Sequence, residues 1–167
     1  MQLYDTVQLY DTVKLHLDRR VTPMRSTSSS SLTLATIASA QLAAGVAGHV
    51  VAVRRRLPYD LAFPPISGRP ENVARDSLVL GTALSAPVAM LGLQAVATSR
   101  LFRGADRRAT RAVAGLGSMM ISGYLGERVV RRRLGGDWDP VESTIAASGL
   151  VLAAAMAVGG ARALLRS

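Results

Sequence analysis

The fold is decided by a stretch that reads AVAGLGSMMISGYLG over residues 112–126 and continues as ERVVRRR over residues 127–133. The first part has the composition of a membrane helix, and no proline interrupts its continuation. One carboxylate, Glu127, stands where the apolar run meets the arginines. Because apolar runs and charges are separated elsewhere in the chain, we predict that this stretch crosses a membrane and holds any functional site.

Three other uncharged blocks accompany this stretch, and they cover residues 32–53, 77–99 and 143–161. At 1.5 Å per residue, blocks of this length can cross a hydrocarbon core of about 30 Å. The chain is 49% hydrophobic but only 19% charged, and its apolar residues lie in blocks rather than at helical or strand periods. We therefore predict an all-α, polytopic membrane protein. Its four transmembrane helices, at about 32–53, 77–99, 112–130 and 143–161, form a small bundle.

In two of the predicted helices, single residues predict a kink or a helix start. Pro87 lies near the centre of the second span and predicts a kink there. Asp139 precedes Pro140, which predicts that Asp139 caps the fourth helix.

The N-terminal residues predict a separate extension. QLYDTV occurs at residues 2–7 and again at residues 8–13, and a serine-rich run follows at 25–31. We predict that residues 1–31 are disordered or lie on the membrane surface, and that residues 32–167 form the transmembrane domain. A cleaved signal peptide is the alternative for residues 32–53, but its apolar region is normally only about 7–15 residues long.

Charge and composition indicate which kinds of partner and cofactor the chain is expected to bind. The net charge is +9, and 19 of the 20 basic residues are arginines that flank apolar runs. This arrangement predicts contact with the lipid bilayer and with anionic headgroups at arginines 54–56 and 131–133, rather than a substrate clamp or nucleic acid.

The absence of cysteine and the presence of only two histidines argue against a metal centre, and no cofactor is predicted. The arginine and alanine bias is typical of a GC-rich bacterial genome.

The distribution of basic residues gives a prediction of topology. The N-terminus, the loop 100–111 and the C-terminus carry 11 basic residues, against 9 in the other two loops. The density of arginine in residues 100–111 predicts that both termini of this multi-pass cell-membrane protein are cytoplasmic. The first and third loops then share the opposite face.

Polar residues on that shared face predict a candidate site. Glu127 would act as an acid/base group, assisted by His49 or Tyr124, because a carboxylate near hydrocarbon is costly unless it is paired or hydrogen-bonded. The alternatives are a salt bridge from Glu127 to Arg131 and a histidine at the headgroup level. A surface for a substrate or partner is predicted from the loop residues Asp60, Arg69, Glu71, Asn72, Trp138 and Asp139.

Small residues recur every fourth position and predict close helix packing. The three stripes are Ala40, Ala44 and Gly48; Ser118, Ser122 and Gly126; and Gly149, Ala153 and Ala157. Nucleotide-binding, hydrolase and zinc-protease motifs are absent. We therefore expect a structural or accessory subunit that binds another membrane protein or a second copy. The alternative is a membrane-embedded enzyme for a lipophilic substrate. A transporter is a third possibility, although no inverted repeat supports it.

Overall fold

The computed structural model describes residues 29–62 and 65–166, so the predicted extension lies outside the described residues up to position 28. The elements are α1 (Ser29–Arg55), β1 (Asp60–Leu61), β2 (Ile66–Ser67), a 3-10 turn (Pro70–Asn72), α2 (Val73–Asp76), α3 (Val88–Phe102), α4 (Arg107–Gly126), α5 (Arg128–Leu134) and α6 (Pro140–Leu165). The prediction of a mostly helical chain is confirmed, and β1 and β2 form only a short antiparallel hairpin.

The longer helices α1, α3, α4 and α6 form an antiparallel bundle. Going round the bundle, α1 packs on α3, α3 on α4, α4 on α6, and α6 again on α1. We call the end where α1 and α4 finish and α6 begins the hairpin end, because the β-hairpin lies there. The opposite end holds the connection between α3 and α4.

Two of these helices, α1 and α6, are long and apolar enough to cross a membrane, with 27 and 26 residues. Helix α3 is apolar but shorter, with 15 residues. Only 28% of the most apolar window of either α1 or α6 is buried inside the protein. The rest of each window is half-buried or exposed, so other parts of the protein do not cover much of its apolar surface.

The prediction of one kinked helix over residues 77–99 is wrong. Helix α3 begins only at Val88, and Pro87 caps it with extended backbone. Residues 77–87, which we call the inserted segment, form a bend that the Val88 N–H closes by donating to the Ser77 carbonyl (3.1 Å). Proline lacks an N–H and disfavours helical backbone in the residue before it, so it starts this helix instead of kinking it.

The inserted segment fills the part of the bundle where the first half of a longer α3 would lie. Leu84 and Ala83 at its tip are fully buried and pack with Ala52 of α1. The Leu84 carbonyl occupies the position that a Cβ at Gly48 would need. Glycine at position 48 therefore lets the backbone of the inserted segment lie directly against α1.

The prediction of a single helix over residues 112–130 is also wrong. Helix α4 ends at Gly126, and Glu127 has extended backbone (φ −78°, ψ 122°) before α5 begins. The backbone N–H of Ala62 donates to the Gly126 carbonyl (3.0 Å), so the β-hairpin satisfies the end of α4. At its start, α4 begins at Arg107, where the Asp106 carboxylate accepts the backbone N–H groups of residues 108 and 109.

The fourth helix agrees with prediction. Helix α6 contains all of residues 143–161, and the Asp139 carboxylate accepts the N–H groups of Val141 (3.1 Å) and Glu142 (2.9 Å). Asp139 is therefore the predicted N-cap.

Of the three predicted small-residue stripes, the one on α6 packs inside the bundle. Gly149 and Ala153 are buried, and the Tyr124 ring lies against Gly149. In contrast, Ala40, Ser118 and Ser122 are exposed, so the stripes on α1 and α4 do not pack inside the bundle, apart from Gly48. The buried line on α1 is instead Gln41, Gly45, Gly48 and Ala52.

Candidate functional site

The Glu127 side chain is buried, with 4% of the residue exposed, at the break between α4 and α5. Its Oε1 accepts the backbone N–H of Asp60 (2.8 Å), and its backbone forms an antiparallel bridge with Leu61. The Asp60 carboxylate in turn binds the Arg128 guanidinium (Oδ1 to Nη1, 2.8 Å). Strand β1 therefore contacts both Glu127, at the break, and Arg128, the first residue of α5.

The predicted salt bridge from Glu127 to Arg131 is wrong. Its i,i+4 geometry required a continuous helix, and the break at Glu127 removes that continuity. Within residues 29–62 and 65–166, no arginine forms an ion pair with Glu127. The carboxylate is held by the backbone of the hairpin instead.

The environment of Glu127 changes its acidity. Burial raises the pKa of this carboxyl to about 7, the nearby Asp60 charge also raises it, and the hydrogen bond from the Asp60 N–H opposes the shift. Glu127 follows the last residue of α4, outside the apolar helices. Near neutral pH it therefore exchanges between its acid and carboxylate forms.

A cavity of about 100 Å³ lies beside Glu127. Its walls come from the inserted segment, the start of α3, the last turns of α4 and strand β1. Residues with polar side chains in its lining are Glu127, Tyr124, Thr82 and Ser85, although the Tyr124 hydroxyl lies against Gly149 of α6. The remaining lining is mostly apolar and consists of Leu61, Leu80, Ala83, Ala86, Pro87, Met90, Met119, Met120 and Gly123.

The structure brings together only part of the predicted site. Glu127 and Tyr124 line one cavity, and Asp60 binds Glu127 from the side. His49 does not line this cavity, and its Nδ1 is buried without a hydrogen-bond partner in the described part of the chain. The predicted loop residues Arg69, Glu71, Asn72 and Trp138 are exposed and contribute nothing to the cavity lining.

Asp139, the last predicted loop residue, belongs to a second cluster centred on Glu142. Glu142 is only 2% exposed and is bound by Arg55 (Nη1 to Oε1, 2.6 Å) and by Arg133 (Nε to Oε2, 2.8 Å). Asp139 also contacts Arg55 (3.0 Å), and backbone N–H donation keeps the pKa of Asp139 below its usual value. This cluster ties the end of α1 to α5 and to the start of α6.

Sequence reasoning missed the role of Glu142. The arginine runs at residues 54–56 and 131–133 suggested lipid contact, whereas one arginine from each run binds this carboxylate. The available signal was an acidic residue in the first turn of the predicted fourth helix. Arginine runs stand at the end of the first helix and at the end of the preceding segment.

An open basic cleft lies beside this cluster. It has a volume of about 570 Å³ and is lined by Asp60, Arg128, Arg131, Arg132, Gly135 and Asp137. Its three arginines agree with the prediction of anionic headgroup contact, which remains a prediction. Across the part of the chain that the structure describes, no group of three or more histidine or acidic residues could hold a metal ion. No family model, curated protein or solved structure matches the chain.

Proposed function

We propose that this chain is an integral membrane protein whose four-helix bundle serves as a structural or accessory subunit of a membrane assembly. The observation that carries the membrane assignment is an outward apolar surface on every long helix. Val46 of α1, Leu93 of α3, Met119 of α4 and Val151 of α6 are 49%, 52%, 61% and 67% exposed. Hydrocarbon would cover such a surface, whereas water would not favour it.

Charges at both ends of the bundle support this assignment. The end opposite the hairpin carries Arg100, Arg103 and the arginines of the first turns of α4, and the hairpin end carries the runs at 54–56 and 131–133. In the proposed arrangement, α1, α4, α6 and α3 with its inserted segment all lie in the bilayer. The end opposite the hairpin faces the cytoplasm because its short, arginine-dense connection follows the distribution seen in membrane proteins.

The outer face of α4 supports a role in assembly. Gly115, Ser118 and Ser122 are exposed along one side of this helix. A Cβ added at Gly115 would meet nothing within 4 Å. In membranes, rows of glycine and serine allow helix backbones to approach closely. We propose that a helix of another membrane protein, or of a second copy, packs here.

Cysteine cross-linking in native membranes tests this proposal, because the chain has no cysteine of its own. A Ser118→Cys variant is expected to form a cross-linked species on mild oxidation or with a short bis-maleimide. The matched control is Leu93→Cys, which is also exposed but lies on α3. Equal cross-linking at both positions, or none at position 118, would count against an interface on α4.

A membrane-embedded enzyme is the second candidate function. Glu127 and Tyr124 line the same cavity, and a carboxyl that titrates near neutral pH is suited to acid/base chemistry. The geometry favours Tyr124 over His49 as the assisting group. Comparison of lipid extracts by mass spectrometry, from cells with the wild-type protein and with Glu127→Gln, tests it. A lipid species that changes only with the wild type supports an enzyme, and identical extracts oppose it.

A further inference from the structure

We infer that the cavity beside Glu127 is a binding pocket for a small lipophilic amine that enters sideways from the bilayer. This inference rests on the proposed membrane location, and it specifies a ligand class for a cavity whose occupant the fold alone does not define.

The position of the cavity mouth supports entry from the hydrocarbon. Leu80, Met119 and Gly123 line the cavity and are also exposed on the outer surface of the bundle. They come from the inserted segment and from the outward side of α4, among other exposed apolar residues such as Val79 and Leu125. A ligand that passes between them would therefore come from lipid rather than from water.

The acidic residue in the cavity lining supports a cationic group. Glu127 provides a carboxylate, and the hydrogen bond from the Asp60 N–H fixes its Oε1. Arg128, the nearest cation along the chain, is bound to the Asp60 carboxylate, and its charge lowers the pKa of Glu127 less than the other influences change it. A charged carboxylate in an apolar setting is costly without a positive partner, and an ammonium group would supply one.

The size and lining of the cavity support an alkylamine. A volume of about 100 Å³ accommodates an ammonium group and its first methylene groups, while the rest of an alkyl chain passes through the mouth. Three methionines, at positions 90, 119 and 120, line the walls. Their flexible, unbranched side chains can adapt to an alkyl chain.

Proton exchange at Glu127 gives this binding a characteristic pH dependence. The titratable or charged groups facing Glu127 are Asp60 from β1, Arg128 from α5 and Tyr124 from α4, and the inserted segment contributes none. An ammonium favours the carboxylate form, so binding below about pH 7 releases a proton. Affinity for the amine therefore rises as the pH is raised from about 6 to about 8.

The test uses the full chain in lipid nanodiscs with dicyclohexylcarbodiimide, an apolar reagent for protonated carboxyl groups. The acid O–H adds across one C=N bond to form an O-acylisourea, which rearranges to a stable N-acylurea. The protein gains the whole mass of the reagent and nothing leaves. We expect modification of Glu127 that is faster at pH 6 than at pH 8. Glu142 is an internal control, because an arginine binds each of its oxygens and it lies outside the cavity lining.

Protection of Glu127 from modification by added ligands tests whether the pocket binds amines. Dodecylamine at about ten times its dissociation constant is expected to slow modification of Glu127 about tenfold at pH 7, and dodecanol at the same concentration to have little effect. Equal protection by the two would overturn the assignment to amines. Faster modification by a water-soluble carbodiimide would overturn entry from lipid.

Two variants test the mouth without changing Glu127. A Cβ added at either Gly123 of α4 or Gly92 of α3 would meet nothing within 4 Å, so both positions have room for a side chain. Gly123→Leu, at the mouth, is expected to slow modification several-fold, and Gly92→Leu, outside the cavity lining, to leave the rate unchanged. Equal rates in both variants would contradict the proposed entry. Failure of the protein to enter membranes would overturn the membrane location, whereas unmodified Glu127 in properly inserted protein would overturn this inference alone.

Discussion

At the scale of single residues, two buried carboxylates at the hairpin end are held in opposite ways. Glu142 has an arginine on each oxygen. Glu127 has a backbone N–H on Oε1 and forms no ion pair in the described ranges 29–62 and 65–166. The first arrangement joins α1, α5 and α6 through ion pairs, whereas the second leaves a carboxyl that can gain or lose a proton near pH 7.

The raised pKa of Glu127 makes stability depend on pH. Between its ordinary value of 4.5 and about 7, the folded protein binds more protons at this group than the unfolded chain does. The free energy of unfolding should therefore fall as the pH rises through this window. In the Glu127→Gln variant this fall should disappear, as measured by thermal unfolding in detergent at several pH values. Glu71→Gln, at an exposed position, is the control and should retain it.

Replacement of Glu142 should destabilise the hairpin end. Glu142→Gln keeps the shape of the side chain but leaves Arg55 and Arg133 without their shared carboxylate. We expect the unfolding midpoint to fall by about 5 °C at neutral pH, since hydrogen bonds between charged groups are stronger than neutral ones. Glu71→Gln serves again as the matched control. An unchanged midpoint would show that the cluster contributes little to folding.

Sequence alone could single out Glu127, because a carboxylate at the end of an apolar run is costly and rare. It could not identify Asp60 as the partner. That contact depends on the hairpin reaching the break in α4, and the predicted partner Arg131 was reasonable only for an unbroken helix. Glu142 escaped notice because its two arginines are 87 and 9 residues away in the chain.

At the scale of elements, close backbone contacts rather than large side chains determine how the helices pack. The clearest case is the crossing of α4 and α6 at Gly117. A Cβ there would lie 2.7 Å from both the Ala153 carbonyl oxygen and the Ala157 nitrogen. Backbone atoms cannot move aside as the end of a flexible side chain can, so this crossing requires glycine.

The Gly117→Ala substitution should therefore force α4 and α6 apart. We expect a loss of about 1–3 kcal/mol in the free energy of unfolding, typical of overpacked interiors. Gly92→Ala is the matched control, because a Cβ at Gly92 in α3 would meet nothing within 4 Å. It should leave stability unchanged or raise it slightly, since alanine favours helix. Denaturation of the purified variants in mixed micelles compares the two, and an equal loss in both would contradict the role of the crossing.

The α6 helix was predictable because a long apolar run, Asp139 and Pro140 all indicate the same element. The second and third blocks were not, since composition cannot distinguish a helix from an inserted bend of equal apolarity. What decides residues 77–87 is the space beside Gly48, and what decides Glu127 is a hairpin more than 50 residues earlier in the chain. The exposure of Ala40 and Ser118 likewise depends on how the helices are rotated in the bundle.

At the scale of the whole molecule, the antiparallel bundle places the β-hairpin and α5 at one end and the connection between α3 and α4 at the other. In a membrane these ends would face opposite sides. Sequence could predict this alternation, because uncharged blocks separated by charged loops define it. It could not show how far each block extends as helix.

Cysteine labelling with a membrane-impermeant maleimide in intact cells tests this topology. Ser67→Cys and Leu134→Cys lie at exposed positions of the hairpin end, and Ala105→Cys lies at the opposite end. We expect the first two to be labelled from outside and the third only after the cells are opened. Labelling of Ser67→Cys but not of Leu134→Cys would show that α4 does not cross the membrane.

In the proposed membrane arrangement, the short uncharged part of α4 has a consequence for the surrounding lipid. On the side formed by α1, the uncharged part of the helix, residues 29–53, is about 37 Å long, whereas residues 112–126 of α4 reach only about 22 Å. A bilayer of uniform thickness would not match both sides, so in this arrangement lipid beside α3 and α4 would thin locally. The protein would then be a wedge of unequal hydrophobic thickness, and it should partition into thin bilayers in preference to sterol-thickened ones. The mouth beside Gly123 lies on the thin side, where the water layer comes nearest to the middle of the membrane.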